Sequence, residues 1–173
     1  MRNVLLAVTA VVVLSCDVAV AQVGRDLEVC NKSEDAGAVI AHMREFAPQW
    51  LTGCTLRECW FEPTFHKHTG KLCAGVQIHV ADSGYQHQSF RPWRVVAAFL
   101  KALRTIHPQF HLWRDFAYEY EHGRLAFDVI NGGPRLRQWI EAAGASAADL
   151  DAVTTLDEQT WREQRRASMI YPG

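Results

Sequence analysis

The stretch GVQIHV, at residues 75–80, decides the fold class of this chain. Its valines and isoleucine alternate with Gln77 and His79, so the pattern predicts a β-strand with one apolar and one polar face. Residues 55–61 form a second predicted strand just upstream. A sheet with an apolar face needs a covering layer, and helices are an economical way to supply it.

Helices are predicted on both sides of these strands, at residues 34–46, 91–106, 135–143 and 147–166. Pro92 suits a first helical turn, and Ser146 with Asp149 three residues later is typical of a capping box. The alternation at residues 118–121 predicts a further strand, and residues 127–130 are a short apolar segment. Together these elements predict an α+β protein, a single compact domain with a mixed sheet packed with helices.

The N-terminus has the order of a signal peptide. A positive charge at Arg2 precedes a short apolar run, which ends in the small-residue motif AVA before Gln22. This order predicts a cleavable leader at residues 1–21. Residues 22–52 are then an N-terminal helical extension, and residues 53–173 are the main domain.

A second interpretation of the leader is a lipoprotein signal. The motif VLSC ends at Cys16, and lipidation there would anchor the mature chain to a membrane. Both interpretations predict an exported protein, periplasmic or extracellular.

Charge and cysteine content narrow the possible partners. The 18 Lys and Arg and 19 Asp and Glu residues are interspersed and give a formal net charge of -1, so no nucleic-acid partner is expected.

Without the leader, four cysteines remain, at Cys30, Cys54, Cys59 and Cys73. In an oxidising compartment these favour disulfides of undetermined connectivity, whereas a zinc site is the alternative that their spacing supports less well.

The densest polar cluster is the segment EPTFHKH at residues 62–68, which directly follows a predicted strand. Such strand-end loops commonly carry function. Its histidines could bind a metal together with His79, or they could simply be solvated, and no metal or organic cofactor is predicted from them. Candidate carboxylates for glycoside chemistry are Asp82, Glu119, Glu121 and Asp128, with turn capping or pairing to arginines as the structural alternative.

Several segments together resemble one known family. They are FEPTFHKHTGKLCAGVQIHV at residues 61–80, FRP at 90–92, HPQF at 107–110, YEYEH at 118–122 and the late RR and IY pairs at 165–166 and 170–171. Their order resembles the C-terminal domain of the peptidoglycan exo-β-N-acetylmuramidases called NamZ. The resemblance runs from about residue 53 to residue 171.

The resemblance implies a function at the cell wall. Such enzymes remove terminal N-acetylmuramic acid from peptidoglycan fragments, with an active site between a Rossmann-like N-terminal domain and this smaller one. The principal catalytic residues are expected in that N-terminal domain, which this chain is expected to lack, so none is assigned here. Substrate contacts are expected from Phe65, His66, Lys67, His79, Asp82, Glu119 and Asp128.

Two functions therefore remain open. The chain could be part of a muramidase that binds or helps to hydrolyse muropeptides, with a separately encoded N-terminal half as its partner. Alternatively, it could be a non-catalytic envelope module that binds carbohydrate or serves a structural or interaction role.

Overall fold

A computed structural model describes residues 10–12, 35–62, 64–65, 69–70, 72–80, 85–113 and 120–170. The strands are β1 (Ala10–Val12), β2 (Thr55–Phe61) and β3 (Cys73–His79). The helices are α1 (Asp35–Phe46), α2 (Pro92–Ile106), α3 (Ala126–Ile130), α4 (Arg135–Glu141) and α5 (Ala147–Arg165). Short 3-10 turns at Pro48–Leu51 and Arg166–Ser168 follow α1 and α5.

The strands form an antiparallel sheet in the order β1-β3-β2. Thr55 pairs with His79 at one end of the β2–β3 hairpin, and Phe61 pairs with Cys73 at the other. Val76 and Ile78 of β3 are only 1% and 4% exposed. The alternation predicted from the sequence is thus confirmed, because successive side chains of a strand point to opposite faces.

Helix α1 covers the apolar face of the hairpin and α2 packs on α1, and buried side chains of these elements form one core. Val39 and Met43 of α1 and Val95 of α2 are fully buried there. Trp50 and Trp139 extend the core toward α4, with ring centroids 5.9 Å apart. This arrangement confirms the α+β class, while the pairings in the described strands are all antiparallel and not mixed as predicted.

A buried lysine joins α2 to α4. Lys101 Nζ donates to the carbonyl oxygens of Trp139 (3.0 Å), Ile140 (3.2 Å) and Ala142 (2.6 Å) at the end of α4. These are carbonyls that a helix C-terminus leaves without intrahelical partners. Burial lowers the pKa of Lys101, and the nearby Glu141 carboxylate opposes that effect. The three bonds therefore stabilise the helix end and satisfy a cation that would otherwise be costly to bury.

Gly53 fixes the loop that leads into α2 against the start of β2. Its φ of +82° is in the left-handed region, and its carbonyl oxygen accepts from Gln86 N at 3.2 Å. A Cβ at this position would lie 2.6 Å from Gln86 O and 2.8 Å from Phe90 N. Only glycine fits both the backbone angle and this close approach.

Several predicted elements differ from the structure. Tyr120 lies in a turn and Glu121 forms an isolated bridge, so the described half of the strand predicted at 118–121 is not a strand. The Glu121 carboxylate accepts from Gly123 N at 2.9 Å and pairs with Arg124, and such local bonds favour a turn. The apolar segment at 127–130 belongs to the short helix α3. The capping box of Ser146 and Asp149 is confirmed.

The predicted leader lies outside the described residues except for Ala10–Val12, which pair with β3. Across the part of the chain that the structure describes, no helix combines the length and apolar character that crossing a bilayer requires. The export and lipidation predictions are therefore not tested by the fold.

Replacing Gly53 by alanine is expected to destabilise the fold much more than replacing Gly70. Gly70 has a similar φ of +74° but nothing within 4 Å of its added Cβ, so Gly70→Ala should cost only the left-handed backbone term of about 1–2 kcal/mol. Gly53→Ala adds a steric clash and should cost about 2 kcal/mol more in the free energy of unfolding. Urea denaturation of both variants measures the difference, and equal losses would contradict the close approach described above.

Replacing Lys101 by methionine should lower the free energy of unfolding by about 1–3 kcal/mol, because carbonyl oxygens of the α4 terminus lose their donor in a buried site. Arg162→Met is the matched control, since Arg162 is an exposed cation on α5 and its loss should change stability by less than about 0.5 kcal/mol. Thermal or urea unfolding checks both variants. A Lys101→Met protein as stable as the control would show that the three bonds contribute nothing.

Candidate functional site

The β2–β3 hairpin has a polar face on the side away from the core. The register places Thr55 opposite His79 and Arg57 opposite Gln77, and these side chains share one face because they alternate with the buried ones. Arg57 Nε donates to Gln77 Oε1 at 2.5 Å. A guanidinium has five N–H donors, so this contact uses one of them. Polar donors thus lie along the hairpin on a rigid backbone.

His79 has unused hydrogen-bonding capacity. Its Nε2 atom is buried and has no hydrogen-bond partner in the described part of the chain. Buried side-chain nitrogens are nearly always hydrogen-bonded in folded proteins. An atom without such a bond, on a strand that also carries a half-buried glutamine, is therefore a candidate ligand contact.

Cys59 lies on the same polar face, two residues after Arg57 along β2. It is a free thiol in the structure, so the disulfide predicted for it is not found. Burial raises the pKa of the Cys59 thiol, and the Arg57 charge lowers it by less. The thiol is therefore a weak nucleophile at neutral pH. Cys30 and the side chain of Cys73 lie outside the described residues, and their pairing remains a prediction.

The loop after β2 is at the far end of the hairpin from His79. Phe65 in this loop is 72% exposed. Since β2 and β3 rise about 3.3 Å per residue, the Phe61–Cys73 and Thr55–His79 ends are about 20 Å apart. His66 and Lys67 lie outside the described residues. Of the predicted substrate contacts, Phe65 and His79 are described and lie near opposite ends of the hairpin.

Asp128 of α3 is buried and occupied by an arginine. Its two carboxylate oxygens accept from Arg137 Nε at 2.9 and 3.1 Å and from Arg137 Nη2 at 2.6 Å. These bonds raise the pKa of Arg137. The pair joins α3 to α4. A substrate could contact the Asp128 carboxylate only if Arg137 moved away or shared that carboxylate with it. Asp82 and Glu119 lie outside the described residues.

Arg57 was not among the candidate residues predicted from the sequence. The sequence held a signal for it, because Arg57 follows the apolar Leu56 in a predicted strand, and successive side chains of a strand point to opposite faces. Among the residues that the structure describes, no three His, Cys, Asp or Glu side chains converge on a point where a metal ion could bind.

Comparison with known proteins identifies the family. The family model described as "Exo-beta-N-acetylmuramidase NamZ, C-terminal" matches residues 30–171. The chain is also 30% identical, over 121 residues, to the peptidoglycan β-N-acetylmuramidase NamZ of Bacillus subtilis (strain 168). That match covers 70% of this chain and 26% of the Bacillus protein, so the chain spans about a quarter of its relative's length.

No solved structure matches the chain significantly. The family match covers well over half of the sequence, and it includes the hairpin and every helix described above. The chain therefore belongs to the family of the C-terminal domain of the exo-β-N-acetylmuramidase NamZ.

Proposed function

We propose that this chain binds the terminal N-acetylmuramic acid of peptidoglycan fragments through the polar face of its β2–β3 hairpin. The observation that carries the proposal is the unpartnered Nε2 of His79, two residues from Gln77 and its bond to Arg57, in a domain of the NamZ family. The relative with 30% identity is named for acting on peptidoglycan.

The chemistry of the sugar fits this face. N-acetylmuramic acid carries a lactyl carboxylate, an N-acetyl group and several hydroxyls. A guanidinium such as that of Arg57 binds a carboxylate through paired, charge-assisted hydrogen bonds. His79 Nε2 can bond a hydroxyl or an amide group. We propose that Phe65 contacts the attached part of the fragment, and that His66, Lys67, Asp82 and Glu119 also contribute substrate contacts.

Binding is the proposed activity of this chain by itself, and hydrolysis is proposed to require a partner. Glycoside cleavage needs an acid and a second reactive group held in register on both sides of the bond. In the described residues Asp128 is tied to Arg137, and Glu121 is tied to Arg124. We propose that a separately encoded N-terminal half supplies the reactive groups, and that the chain meets its substrate in the cell envelope after export.

The binding proposal predicts that Arg57→Gln weakens the affinity for N-acetylmuramic acid by about tenfold, because a charge-assisted bond to the lactyl carboxylate is lost. Isothermal titration with the purified protein and a muropeptide ending in this sugar measures the change. Arg162→Gln, which removes an exposed arginine from α5, is the matched control and should bind normally. Equal affinity of the two variants would refute the role of the hairpin face.

The purified chain should not hydrolyse a chromogenic N-acetylmuramide faster than its Glu119→Gln variant, because the carboxylates of Asp128 and Glu121 are each paired with an arginine. Release of the chromophore is measured with and without the N-terminal part of a NamZ relative. Turnover by the chain alone, abolished in the variant, would show that the site is complete within this domain.

A further inference from the structure

A second cleft lies away from the hairpin, where α2, α3, α4 and α5 meet. Its volume is about 270 Å³, and none of its lining residues belongs to the sheet. Leu136 and Leu150 are buried and contribute an apolar lining, together with the partly exposed Val153. Trp93, which is 40% exposed, also lines the cleft. This is a concave, partly apolar site of the size that suits one small ring.

The Trp93 indole is held in place. Its Nε1 donates to Asn131 Oδ1 at 3.2 Å, which ties the start of α2 to the residue that follows α3. An indole fixed in this way presents its ring as a flat surface at little cost in side-chain entropy. Flat aromatic surfaces stack on the C–H faces of pyranose rings.

The charged groups of the cleft are already paired with one another. Arg94 donates to Asp151 (2.7 Å), Glu158 (3.1 Å) and Thr154 Oγ1 (2.8 Å). Arg135 pairs with Asp157 at 2.6 Å. The two arginines and two carboxylates that line the cleft have a formal charge of zero in sum, and Asp151 beside them is also paired with Arg94. An anionic ligand therefore meets no net positive charge, and a cation meets no unpaired carboxylate. Paired groups still carry spare donors and lone pairs, which is what neutral hydroxyls need.

We propose that this cleft binds one uncharged N-acetylated hexose of a glycan. The ring would stack on Trp93, the acetyl methyl would lie on the apolar surface of Leu136, Leu150 and Val153, and the hydroxyls would bond to the Arg135–Asp157 pair. Glycan strands of peptidoglycan alternate an acidic and a neutral N-acetylated sugar. The cleft is therefore a candidate site for the neutral sugar, separate from the polar face of the hairpin that we propose binds the acidic sugar. The two proposals rest on different residues.

Titration of the purified protein with methyl N-acetyl-β-glucosaminide tests the cleft. Addition of the sugar should shift the NMR signal of the Trp93 indole N–H, identified by its absence in Trp93→Ala. The affinity should fall about tenfold or more in Trp93→Ala, because the stacking surface is lost. Trp161→Ala is the matched control, since Trp161 is 62% exposed on α5 and does not line the cleft, and it should bind the sugar normally. A single cooperative thermal unfolding transition above the titration temperature in each variant confirms that both fold.

Other outcomes would overturn the proposal. These are no shift at the Trp93 indole, equal weakening in Trp161→Ala, or stronger competition for this signal by N-acetylmuramic acid or by tetramethylammonium than by the neutral sugar. Arg57→Gln separates the two sites. It should leave neutral-sugar binding unchanged, so loss of muramic-acid binding in that variant reports only on the hairpin face.

Discussion

The register of β2 against β3 determines which side chains of this domain reach the core and which remain on the polar face. With Thr55 opposite His79, Val76 and Ile78 are buried beneath α1, and Gln77 and His79 point away. A slip of one residue would bury the polar pair and expose the apolar one. Gly53 lets the loop before α2 approach the start of β2 and so positions this end of the hairpin against that loop.

Helix α2 connects that sheet to the other helices. Its apolar side, which includes Val95 and Phe99, packs on the core, while Lys101 bonds to the end of α4. Near its N-terminus, Trp93 reaches α3 and Arg94 reaches α5. One helix thus contributes both to the common core and to the wall of the cleft.

The sequence predicts local periodicity well and long-range pairing poorly. The alternation at residues 75–80, the proline at the start of α2 and the Ser146 capping box each rest on neighbours a few residues apart, and the structure confirms all three. The bonds from Lys101 span about 40 residues of sequence, and no local sequence pattern predicts them. The Trp93 cleft likewise depends on four helices meeting. The alternation at residues 118–121 wrongly predicted a strand, because the Glu121 carboxylate accepts a hydrogen bond within its own turn.

Different interactions stabilise the two candidate sites. The hairpin face rests on a core of buried aliphatic side chains, whose contribution does not depend on ionic strength. Helix α5, in contrast, buries only Ala147 and Leu150 among its described residues. Its attachment includes several polar contacts, among them those of Asp151, which accepts from Trp50 Nε1 at 2.9 Å and from Arg94 at 2.7 Å.

Charged contacts at a surface weaken as salt screens them, although Arg94 is only 13% exposed and is screened less than an open pair. The cleft wall formed by α5 is therefore the more adjustable of the two surfaces. Its shape can adapt to a neutral ring that offers hydroxyls to the same ion pairs, whereas the hairpin face offers a fixed row of donors set by the strand repeat.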